Sequence, residues 1–185
     1  MIVVLVVVAI ALALVLWFFG AYNGLVRMRQ EVKNAWSQID VQLKRRHDLI
    51  PNLLEAVKGY MGHERQTLEN VIKARQQAVD ASALKDKIQA ENFLTQTLRS
   101  LFAVSERYPD LKANQNVMAL QEELTSTENR ISFARQFYND QAMRLNTAVE
   151  SVPTNVVAGT TGFAKAEFFE IEDTAHRAAP AVKFS

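Results

Sequence analysis

His47, His63 and His176 are the residues of this chain best suited to metal or proton chemistry. His63 and Glu64 resemble the start of a zincin helix, in which two histidines one turn apart hold zinc and the glutamate acts as base. Thr67 stands where the second histidine is needed. The three histidines therefore read as surface residues, and no metal is expected. Ser82 and Lys85 have the S-x-x-K spacing of an acylating serine and its lysine, but the companion S-D-N and K-T-G motifs do not occur. Ser82 reads instead as a loop serine that caps a helix. The chain has no cysteine, which removes disulfides, thiolate nucleophiles and cysteine metal sites. No catalytic constellation and no cofactor emerges, so the chain reads as a non-enzyme that acts by binding.

The remaining charged residues have to be explained by position. Net charge is +1, which argues against a nucleic-acid partner, whose binding face would be strongly basic. Six basic residues, Arg27, Arg29, Lys33, Lys44, Arg45 and Arg46, follow closely on an uncharged N-terminal segment. Arg27, Arg29 and Lys33 come first, and the run KRRHDLIPNLLE follows from Lys44 to Glu55. Upstream of them, residues 1–19 (MIVVLVVVAIALALVLWFF) carry no charged or polar side chain. Eighteen residues from Ile2 to Phe19, at about 1.5 Å of helical rise each, cross most of a hydrocarbon core. Trp17, Phe18, Phe19 and Tyr22 sit where an aromatic belt would lie. A cleaved signal peptide would need a basic start and small residues before the cut, and both are missing here. The segment is expected to be an uncleaved single-pass anchor. Because the flanking positive charge all follows the span, the N-terminus is placed outside and the main domain in the cytoplasm. Arg27, Arg29 and Lys33 are then candidate membrane-surface contacts, within about 20 Å of the bilayer and each worth about 1 kcal/mol against anionic lipid.

The elements that would position these residues are helices. Glycine (6) and proline (4) are scarce, and apolar residues recur at spacings of three and four. Val32, Trp36, Ile39 and Leu43 make one stripe, Ile50 to Ile72 a second, and Leu84 to Tyr108 a third. The cleanest runs Val117, Leu120, Leu124, Thr127, Ile131, Ala134, Tyr138, Gln141, Leu145, Ala148, Val152, a heptad seam with two polar members. Asn114 is a candidate N-cap for it, the Asp80–Ala83 stretch offers capping side chains to the third segment, and Pro109 and Pro153 close helices. The difficulty is Pro51. If the chain turns there, Lys44 to His47 complement the end of one helix and Asp48 caps the next, with Pro51 in its first turn. If it does not, one kinked rod runs on from the membrane, and the almost unbroken apolar phase (Leu43, Ile50, Leu53, Val57) favours that alternative. Segment lengths of roughly 25, 31, 25 and 36 residues favour the hairpin. The expected fold class is all-α: a single transmembrane helix followed by an up-and-down antiparallel helical bundle of four helices, or three if the first is one kinked rod, with an irregular C-terminal tail. The expected divisions are residues 1–21, 22–152 and 153–185.

Two long runs, YNGLVRMRQEVKNAWSQIDVQLKRRHDLIPNLLEAVKGYMGHE from Tyr22 and YPDLKANQNVMALQEELTSTENRISFARQFYN from Tyr108, resemble the LemA family. So does the terminal pattern of Pro153, Gly162, Phe163, Ala166, Glu167, Phe168 and Phe169. The resemblance implies a bacterial membrane protein with one N-terminal span, a helical bundle of up-and-down type and no established enzymatic activity. It also implies association with other envelope membrane proteins, such as a membrane protease, and in some relatives with membrane shaping.

Beyond Thr154 the helical period breaks, yet Phe163, Phe168 and Phe169 are too apolar for a free tail. They are expected to fold back on the bundle or to dock into a neighbour, and residues 174–185 to be mobile. The long fourth seam outreaches its neighbour, so Leu145, Val149, Phe168 and Phe169 are the candidate contacts of a homo-oligomer. The expected role is that of a scaffold, oligomerising element or adaptor at the bacterial inner membrane, with membrane lipid as one partner. A periplasm-facing sensor is the alternative, and an enzyme of unrecognised type a more distant one.

Overall fold

A computed structural model describes residues 1–169, so the tail segment expected to be mobile, residues 174–185, and His176 lie outside the described residues. Among the described residues the chain is predominantly helical, with no strand. The helices are α1 (Ile2–Lys58), α2 (Arg65–Asp80), α3 (Leu84–Ser105), α4 (Pro109–Ala113), α5 (Gln115–Glu150) and α6 (Thr154–Thr161). The all-α helical bundle expected from the periodicity is thus the fold.

Of the two readings of KRRHDLIPNLLE, the structure selects the continuous helix, and the hairpin is corrected. α1 runs 57 residues through Pro51. The reason lies in the side chains on either side. Leu43, Arg46, Ile50, Leu53 and Val57 are all buried, in steps of three and four that never miss a beat. A turn would have thrown that stripe out of phase. Pro51 itself faces outward. Asp48, expected as a cap, is an exposed mid-helix residue. The turn comes later, at Gly59 to Glu64, where Tyr60 and Met61 both donate to the Val57 carbonyl at 3.0 Å and Met61 tucks fully inside. Two glycines in four residues mark this break, and it splits the expected second helix between α1 and α2.

The described residues form two compact units. One comprises residues 1–46 and 124–168. In it α1 and α5 run antiparallel. Arg46 pairs with Glu128, and ten residues back along α1 Trp36 meets Tyr138, ten residues forward along α5. Equal and opposite steps fix one register over that length. The buried face of α5 is the predicted seam: Leu124, Thr127, Ile131, Tyr138, Gln141 and Leu145 are all covered. Val152 is not; it is 81% exposed, because α5 ends at Glu150 and the seam ends with it.

The other unit comprises residues 47–123 together with Phe169. Here α2 and α3 pack on each other. α2 offers Val71, Ala74 and Ala78, small side chains that permit close approach, and α3 offers Leu94, Leu98 and Leu101. Asp80 and Ser82 do not cap α3; the N-cap is Ala83 and makes no side-chain bond. Asn114 does cap α5, its Oδ1 accepting from the backbone N–H of Asn116 at 3.0 Å and of Val117 at 3.3 Å.

Candidate functional site

The end of the first unit next to the apolar segment of α1 is built from a short helix and an extended strap. Beyond Pro153, α6 carries Val157 and Ala158 inward. It ends at Gly162, whose φ of 74° is left-handed, a conformation that costs glycine little and other residues much. That turn sends the chain back along the helices. The ring of Phe163 meets Tyr22 edge-on at 5.8 Å, and the Arg29 guanidinium lies 4.9 Å from its centre in cation–π contact. Further on, Asn146 clasps Ala166 with both ends of its amide. Its Nδ2 donates to the Ala166 carbonyl at 2.9 Å, and its Oδ1 accepts from the Ala166 N–H at 2.7 Å. Tyr138 then donates its hydroxyl to the Glu167 carbonyl at 2.8 Å. Burial, followed by the Glu167 charge, raises the pKa of this phenol above its usual 10.0. The backbone of an extended segment needs such partners, since it has no ladder of its own.

The candidate membrane-surface residues fall as follows. Arg27, Arg29 and Lys33 are all exposed on α1, and Arg29 also holds Phe163. Of the candidate oligomer contacts, Leu145 and Phe169 are covered within the chain, Val149 is half-buried, and Phe168 is 42% exposed. The structure places other apolar side chains outward. Phe133 and Phe137, one turn apart on α5 and off the seam, are 72% and 43% exposed. Their displacement from the heptad phase was the available signal in the sequence.

The charged residues around the old corner do structural work. Arg46 is buried against Glu128. His47 was expected at the surface and is instead buried, because α1 continues and carries it inward. Its Nε2 lies 2.8 Å from Glu91 Oε1, itself fully buried. Arg75 Nε donates to the His47 backbone carbonyl at 2.8 Å. That carbonyl is the one whose helical donor would be residue 51, and proline has none. His63 is exposed, as are Ser82 and Lys85. In the second unit a groove of about 710 Å³ lies along the end of α1 and α2. It is floored by Leu54, Met61, Leu68 and Ile72 and bordered by Lys58 and Arg65.

Among the described residues one helix, α1, is long and apolar enough to cross a membrane, and none of its apolar window is buried by them. The sequence model of the LemA family matches residues 35–184. The chain belongs to the LemA family. Among its relatives, Protein LemA of Metamycoplasma hominis is 27% identical, over 76% of this chain and 65% of that protein. Magnetosome protein MamQ 2 of Paramagnetospirillum magneticum is 26% identical, over 80% of this chain and 64% of the relative. Magnetosome protein MamQ of Magnetospirillum gryphiswaldense is 24% identical over the same shares. The chain therefore spans a little under two thirds of the length of these LemA and MamQ proteins. The first 34 residues, which include the apolar segment, lie outside the LemA family match.

Proposed function

We propose that this LemA family chain is a single-pass membrane protein whose helical domain is an oligomerising scaffold and adaptor at the bilayer. The supporting observation is α1. It continues without a break from an uncovered apolar segment into residues that form the core of both units. A helix shared in this way ties the domain mechanically to the span. The charge pattern orients it with the N-terminus outside and the domain in the cytoplasm of a bacterium, at the inner membrane. Membrane lipid, further copies of the chain and other envelope membrane proteins, such as a membrane protease, are the partners.

Since Leu145 and Phe169 are occupied within the chain, contact between copies falls to Phe133, Phe137 and Phe168. Anchoring copies in one plane raises their effective concentration, so a small aromatic contact suffices. The chain has no cysteine, so a single one can be introduced cleanly. Asp140→Cys, exposed and next to the aromatic pair on the same helical face, should give a disulfide-linked dimer when membranes are oxidised. Adding Phe133→Ser and Phe137→Ser should abolish it. A monomeric mass by light scattering in detergent, with no crosslink in membranes, would overturn the oligomer.

A further inference from the structure

We infer that α6 and the turn before it form a second membrane contact, resting in the headgroup layer of the leaflet from which α1 emerges. The inference rests on the reading that residues 1–19 cross the bilayer. Three observations place the segment there. The first is register. Extending the Trp36–Tyr138 alignment by twelve residues along each helix sets Glu150 opposite Gly24. Gly24 is five residues past Phe19, about 7 Å at helical rise. The headgroup layer on each side of the hydrocarbon is roughly 5–7 Å deep, so α5 ends and α6 begins at that depth. The second is the contact between Phe163 and Tyr22, which returns the far end of α6 to the same level.

The third is composition. Residues 151–164 (SVPTNVVAGTTGFA) contain no charged side chain, whereas 22% of the chain is charged. At that proportion about three would be expected in such a stretch. A segment facing water has no reason to shed charge; one facing lipid does. Val152 and Val156, one turn apart in sequence, are 81% and 60% exposed, and no part of the described chain covers them. The charged residues that border the segment are Glu150 and Lys165, paired with each other, and the exposed Arg27 and Arg29. Three of these four are cationic, which suits anionic lipid at the rim of an uncharged patch. The occupant of the valine face is thus the bilayer that already holds the adjacent span. α6 and α1 would then make a two-point attachment that limits rocking of the domain.

The test uses the full-length chain in vesicles of phosphatidylcholine and phosphatidylglycerol with brominated acyl chains. Three single-cysteine variants, Leu14→Cys, Val156→Cys and Ser132→Cys, each carry an environment-sensitive fluorophore. Leu14 reports the span, Val156 the proposed contact, and Ser132, exposed far along α5 and off the Phe133 and Phe137 face, is the control. The expected result is strong quenching at position 14, clear quenching and a blue shift at 156, and neither at 132. Quenching at 14 with position 156 indistinguishable from 132 would overturn the second contact while leaving the span intact. No quenching at position 14 would overturn the span reading, and the second contact with it.

Discussion

Pro51 removes one donor from α1, and Arg75 supplies a replacement. Without it the His47 carbonyl would be left short of a partner inside a packed helix, a cost of about 1–3 kcal/mol. Arg75→Met keeps the apolar stem and deletes the donor, so it should lower stability by about 1.5 kcal/mol in chemical denaturation. In a Pro51→Ala background the helix regains its own N–H, and the same change should cost less than about 0.5 kcal/mol. Strictly additive losses in that double-mutant cycle would refute the link. Tyr138 offers a pH readout. Its folded pKa is raised, so the unfolded chain ionises first as pH climbs. The stability this residue contributes is therefore complete below 10.0 and is lost as pH rises from there toward the folded value. Thermal melts across that alkaline range should fall more steeply for the natural chain than for Tyr138→Phe, which has no proton to lose. Parallel profiles would show that the phenol is not held as described.

At the scale of elements, the strap is the part most dependent on a few bonds. Residues 163–168 have no ladder of their own, and Asn146 holds both polar groups of Ala166. Asn146→Ala should leave the helices folded but free the strap. Limited proteolysis would then cut after Lys165 at least several-fold faster, with circular dichroism unchanged. A cleavage rate equal to that of the natural chain would mean that Phe163, the Tyr138 bond to Glu167 and the Glu150–Lys165 pair secure the segment without the clasp.

For the molecule as a whole, α1 belongs to two environments. The apolar window contributes nothing to the core, since none of it is buried, whereas Leu25, Val32, Ile39 and Leu43 are packed inside. Removing residues 1–19 should therefore give a water-soluble chain that keeps the helical signal per residue of the rest. Loss of that signal would show the span to be part of the fold.

What the residues determined by themselves is the part written in period and composition. The apolar run predicts a helix long enough to span a bilayer, the heptad seam from Val117 to Val152 predicts the buried face of α5 in all but its exposed last member, and Asn114 predicts its cap, because each depends on neighbours within a turn or two. The oligomer contacts and the membrane-surface role of Arg27, Arg29 and Lys33 remain proposals. Tertiary structure decided the course of the chain at Pro51, which the sequence left open between a hairpin and a continuous helix. Locally a proline after a basic cluster and an aspartate satisfies the rules for a helix start. The outcome turned on Arg75, 28 residues away, reaching the orphaned carbonyl, and on a buried stripe that a turn would have broken. The same holds for His47 and Asn146. A histidine becomes a buried partner of Glu91, and an asparagine a clasp for Ala166, only once distant segments are brought alongside, and no local pattern encodes that proximity.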